Sequence, residues 1–172
     1  MTKCQESSIS NSGYNGCGCL LLLMGIGVIG AIALPSPVGT ARKARASEAK
    51  QYVSAMNKAQ QAVFIEKSAF ATSVDALGLG IKTETKNYLY SVRATKQTAF
   101  HYGVSKQRQL ESYVGGVFLV PVKKIESNAA KDGITTIYIL CEADSPGTIK
   151  PAEPIYKNGK IACGKGTRQV TR

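Results

Sequence analysis

The chain has 172 residues and a formal net charge of +11, and its length leaves room for one globular domain beside an apolar segment. Charge is unevenly placed: residues 1–39 contain only Lys3 and Glu6, so the whole excess lies after Gly39, where 21 Lys/Arg face 10 Asp/Glu. Such a basic soluble part favours polyanions as partners (nucleic acid, anionic glycans, lipid headgroups), the plainer alternative being that its charges serve solubility on solvated faces.

Residues 1–13 form a polar leader, and a long apolar run ending in Pro35 follows it. No charged residue lies between Ser7 and Ala41. Cys17 to Leu34 counts 18 residues, or about 27 Å of helix at 1.5 Å per residue, which is just enough to cross a hydrocarbon core of about 30 Å. The run therefore predicts a membrane-embedded helix. A secretory signal peptide fits poorly, because its basic start is Lys3 alone and cleavage after Gly39 or Ala41 is flanked by prolines. A lipoprotein signal is excluded because Cys17 and Cys19 precede the apolar stretch. A plain membrane anchor fits the length. So does a signal cut at a glycine directly before the apolar segment, and Gly13 followed by Tyr14 has that arrangement. Gly27 and Ala31, four apart, share a helix face and would allow either close helix packing or plain lipid exposure.

Pro35, Pro37 and Gly39 predict a kink or short break. A second helix is expected over 40–67, with Ala49, Val53, Met56, Ala59 and Val63 as one apolar stripe against a sheet. Phe64 and Phe70 would anchor its end. Residues 77–85 read as a loop with flexible points at Gly78 and Gly80. Alternation then predicts strands at 87–93 and 99–104, and richness in Val, Ile, Tyr and Phe predicts strands at 113–122 and 135–141, followed by a proline-marked loop to Pro154, a short strand at 161–163 and a frayed tail. Cys141 and Cys163 suggest one disulfide and an oxidising compartment, the alternative being two unrelated thiols.

Motifs resembling chemistry lack their context. Gly25 to Gly30 spells G-x-G-x-x-G, but inside the apolar run rather than at a strand-to-helix turn. Gly159 to Gly166 is one residue short of a phosphate loop, and too few residues follow for the helix such a loop requires. His101 is the single histidine and has no local acid, so a packed or surface histidine is expected. Glu142 and Asp144 point the same way on a strand, as solvated pairs do. No active site, metal site or cofactor is expected.

Several blocks carry a resemblance to a known family. These are G-A-I-A-L-P-S from Gly30, S-E-A-K-Q-Y-V-S-A-M-N-K-A-Q-Q-A from Ser47, L-G-L-G-I-K-T-E-T-K-N-Y-L-Y from Leu77, Y-V-G-G-V-F from Tyr113 and I-L-C-E-A-D-S-P-G from Ile139. In order along most of the chain, they resemble type IV pilins, and the cyanobacterial "G and H" pilin-like group in particular. The resemblance implies an α+β pilin fold: a long N-terminal helix, kinked near Pro35, packed on an antiparallel β-sheet. It divides the chain into a leader (1–13), a transmembrane and filament-core helix (14–39) and a globular domain (40–172). It implies cleavage between Gly13 and Tyr14 by a prepilin peptidase and N-methylation of Tyr14. Counting back from Pro35 reaches the same start. The implied partners are other pilin subunits and the inner membrane; DNA or anionic polysaccharide as a ligand of the basic face is suggested by charge alone.

Two departures stand out. The family's glutamate at the fifth mature position, whose carboxylate pairs with a neighbour's methylated amine, is Gly18 here. The leader is also weakly basic. Lys3 on one side, against Arg42, Lys43 and Arg45 on the other, would by charge alone leave the soluble domain in the cytoplasm. The resemblance and the Cys141/Cys163 pair place it outside, in the periplasm and then on the pilus. Gly18 points to a minor or accessory subunit. The competing functions are a membrane-anchored basic binding domain that never polymerises and a type II secretion pseudopilin.

Overall fold

The computed structural model describes residues 37–125 and 133–170. Leader and apolar run, with Gly13, Tyr14, Gly18, Gly27, Ala31, Pro35 and the expected kink, lie outside the described residues. Among the described residues no helix is long and apolar enough to cross a membrane.

Helix α1 (Pro37–Lys67) is packed against a five-stranded antiparallel sheet. Its described residues take in the whole of the helix expected over 40–67. The helix ends at Ser68, which takes φ +52° and donates its backbone N–H to Phe64 O at 2.8 Å. Phe64 and Phe70 then meet across the exit, ring centroids 5.0 Å apart.

The strands are β1 (Tyr88–Ala94), β2 (Thr98–Ser105), β3 (Tyr113–Pro121), β4 (Ile134–Ala143) and β7 (Thr167–Gln169), side by side in that order. A separate hairpin joins β5 (Ile155–Lys157) to β6 (Lys160–Ala162). The first four strands fall where the sequence places them. The C-terminal part differs. Residues 155–157, between the loop that ends at Pro154 and the strand expected at 161–163, form β5, and the tail expected to fray supplies β7, which pairs with β4 through Cys141↔Gln169 to Ala143↔Thr167. Val170 extends the pairing by donating its backbone N–H to Leu140 O at 2.9 Å.

The sheet is buried on both faces. On one, Ala49, Val53 and Met56 of α1 pack with Tyr88, Tyr90, Tyr113 and Leu140, and Ala59 and Val63 flank them half-buried. On the other, Phe100, Tyr102, Val114, Phe118 and Ile139 form a second apolar cluster, covered by Tyr156, Ile161 and Cys163 of the hairpin arm. Burial on both faces explains why β2 and β3 are buried almost throughout rather than at alternate positions.

Cys141 lies at the bottom of that second cluster and is joined to Cys163 by a disulfide, with Cα atoms 5.8 Å apart. The bond staples the β5–β6 arm to the far face. It leaves β7, beyond Cys163, to be held by the sheet itself. Closing a loop over a sequence separation of 22 residues is worth about 3 kcal/mol. Denaturant unfolding with and without reductant should differ by about that amount, and equal midpoints would show that packing alone holds the arm.

Candidate functional site

The helix and sheet approach closely because glycines stand where side chains would collide. A Cβ on Gly103 would sit 3.0 Å from Val53 Cγ2 and 3.2 Å from Tyr90 Cε1. A Cβ on Gly115 would sit 2.2 Å from Asn57 Oδ1. Gly115 faces His101 across the β2–β3 ladder. Asn57, His101 and Gln60 are thus buried polar groups at the centre of the helix–sheet interface.

Hydrogen bonds orient this cluster. Asn57 Nδ2 donates to Ile139 O at 3.0 Å, which turns Oδ1 toward His101 Nδ1 at 2.8 Å. That oxygen can only accept, so His101 carries its proton on Nδ1. His101 Nε2 and Gln60 Oε1 have no hydrogen-bond partner among the described residues. Burial pushes the His101 pKa down from 6.5 to about 3, so the ring is neutral at physiological pH. Gln60 Nε2 ties the helix to Ala71 O at 3.1 Å, and Gln61 Nε2 donates to Thr136 O at 2.9 Å on β4. The expected packed histidine is therefore part of a lock between α1, β2 and β4. Asn57 and Gln60 carry no sequence signal for this, because they occur in a stretch rich in lysine and glutamine.

Several exposed charges are tied in local ion pairs. Glu142 and Asp144 are both held by Arg168, at 2.9 and 3.6 Å, and Tyr113 Oη also donates to Glu142 at 2.9 Å. Arg42 pairs with Glu111, and Lys106 with Glu84. On the far face Glu153 accepts from Arg93 Nε at 2.8 Å and from Tyr102 Oη. Burial tends to raise the Glu153 pKa, but these hydrogen bonds outweigh it and hold the carboxyl below its usual range. Burial, with Glu153 beside it, raises Tyr102 to about 12. These tyrosines and carboxylates brace the fold through hydrogen bonds and ion pairs to neighbouring strands and loops. Among the described residues no group of three His, Cys, Asp or Glu could hold a metal.

The phosphate-loop-like stretch becomes β6, a turn and β7. Gly159 and Gly166 take φ +78° and +74° in turns, and Gly164 is pressed against Glu153 O, where a Cβ would come within 2.5 Å. A strand, not a helix, follows Gly166.

One open groove of about 630 Å³ runs between α1 and the β4–β7 edge, lined by Lys50, Ser54 and Lys58 on one side and by Tyr138, Leu140 and Gln169 on the other. No carboxylate lines it. Helix, antiparallel sheet, disulfide-tied far-face arm and basic surface together describe a scaffold that offers surfaces. A model of the type IV pilin-like G and H family matches residues 46–164. The chain belongs to this family. The match covers more than half of the 172 residues and takes in α1 from Ala46, strands β1 to β6 and both cysteines of the disulfide. This pilin-like family is a structural one, whose members associate with other pilin subunits in filaments. No curated protein and no solved structure matches the chain.

Proposed function

We propose that this pilin-like protein is a minor or accessory subunit of a type IV pilus or related filament, serving motility, adhesion or DNA uptake. The observation that carries the reading is the family match over the globular domain, together with the register between Gly13 and Pro35. In this reading a prepilin peptidase cuts after Gly13, Tyr14 becomes the methylated first residue, and the apolar run through Pro35 enters the inner membrane as a single span. The globular domain then lies in the periplasm until assembly carries it to the cell surface. Gly27 and Ala31 give the helix a small-residue face for neighbours in the filament core. The basic outer face is suited to DNA or anionic polysaccharide.

Gly18 supports the accessory role. Without a carboxylate there, the subunit has no acid to pair with the amine of the next one, and it suits a position lacking that neighbour. The same residue favours the second reading, a membrane-anchored binding domain that does not polymerise.

Mass spectrometry of the mature N-terminus, paired with mechanical shearing of cells, tests both readings. The expected results are a methylated Tyr14 and release of the protein with sheared filaments. An intact Met1 or cleavage near Gly39 would remove the processing step. A processed protein that stays with the cells after shearing would leave the anchored-domain reading.

A further inference from the structure

The far-face arm presents a surface that the filament reading does not use. In the β5–β6 hairpin Tyr156 and Ile161 face each other and pack on the sheet, with Tyr156 and Phe118 ring centroids 6.2 Å apart. By the two-residue period of strands, Ile155 and Ala162, and Lys157 and Lys160, are cross-strand pairs on the opposite, outer side. Lys157 and Lys160 thus stand directly opposite each other across the Asn158–Gly159 turn, whose φ values are +53° and +78°. Like charges so placed repel, and a sequence selected for stability alone would not keep them there. Residues 149–165 hold four exposed lysines and a single carboxylate, Glu153, which Arg93 and Tyr102 already engage.

Two large apolar side chains lie among these lysines: Ile149 is 82% exposed and Ile155 54%. Ile149, Lys150 and Lys165 line one surface cavity of about 290 Å³, together with Asp144, whose carboxylate is paired with Arg168. The arm is held firmly from behind. Cys163 is bonded to Cys141, Lys150 Nζ lies 3.8 Å from the Tyr102 ring centroid, and Pro154 rests on Gly116. Its outer side therefore joins exposed lysines to exposed isoleucines.

We propose that residues 149–165 form a docking surface for a bilayer rich in anionic lipid headgroups. Lys157, Lys160 and Lys165 meet the headgroups, and Ile149 and Ile155 enter the boundary between headgroups and acyl chains. Basic residues are attracted to an anionic leaflet within a Debye length, and exposed apolar side chains add partitioning that neither a sugar nor a phosphodiester chain would offer. Nucleic acid would satisfy the lysines but would leave the isoleucines without a role. The surface does not depend on polymerisation, because all its residues belong to one globular domain.

Full-length protein carried in phosphatidylcholine nanodiscs can be mixed with liposomes of phosphatidylcholine, alone or containing phosphatidylglycerol, and sedimented. The protein should sediment with the anionic liposomes only, and less so at high salt. The pair Lys157→Gln with Lys160→Gln should weaken this about thirtyfold, at roughly a factor of five per lysine, and Ile149→Ser with Ile155→Ser about tenfold. Lys82→Gln with Lys86→Gln, on exposed positions of another loop, should change nothing. Binding that survives both arm variants overturns the proposal. So does binding that depends on the lysines alone and is matched by duplex DNA, which would make the arm a nucleic-acid surface instead.

Discussion

Unfolding free energy should fall by about 3 kcal/mol as pH drops from 7 to 4, with His101 as the main source. The ring is buried and neutral in the fold, with its pKa lowered from 6.5 to about 3 by desolvation. Between those values the unfolded chain binds a proton that the folded chain refuses, so stability is fully present above 6.5 and is lost as pH falls toward 3. The full shift corresponds to about 5 kcal/mol at roughly 1.4 kcal/mol per pH unit. Protonation would place a charge where Nε2 has no acceptor among the described residues and would still leave Asn57 Oδ1 as the one partner of Nδ1. Glu153 acts in the same direction but only at lower pH, because its ordinary value is 4.5 and the fold holds it below that. Denaturant unfolding across this range, for the natural chain and for His101→Gln, separates the two. The variant should lose most of the slope between pH 6.5 and 4.5, and an unchanged slope would show that His101 is not its source.

Gly115→Ala should lower stability by about 4 kcal/mol, from overpacking plus a lost buried hydrogen bond. The new methyl group would fall 2.2 Å from Asn57 Oδ1 and 2.6 Å from its Nδ2. Asn57 cannot move aside without abandoning both His101 and Ile139 O. Thermal unfolding of the variant measures the loss. Combining it with Asn57→Ala supplies the control: the methyl would then have space, and the double variant should be no less stable than Asn57→Ala alone. Two independent losses that simply add would mean that Gly115 and Asn57 do not act on each other.

Both expectations rest on residues whose importance could not be read from the chain. The four long strands were legible because Val, Ile, Tyr and Phe are concentrated there, and α1 because Ala49, Val53 and Met56 recur with a helix's period. Three-residue strands carry little period: β6 falls at the short strand expected over 161–163, but β5 follows directly on the loop marked by Pro151 and Pro154, and β7 lies in the tail expected to fray. The polar lock was hidden for a different reason. Asn57 and Gln60 belong to residue types usually found outside, and only the glycine at 115, a position in a strand where glycine is otherwise unfavourable, marked the place where something had to come close. His101 was legible as a packed or surface histidine without a local acid, but neither its burial nor its partner, 44 residues away on another element, was.

The lock also bears on mechanical load. Asn57 bonded to β4 and to His101, Val53 seated over Gly103, and Gln61 bonded to Thr136 all resist sliding of α1 along its own axis. Tension applied through the N-terminal end of α1 would therefore load these contacts together in shear, not one at a time as in peeling. A domain pulled by its helix would yield in a single concerted step, with Asn57 acting as the pawl that keeps the helix from slipping along the sheet.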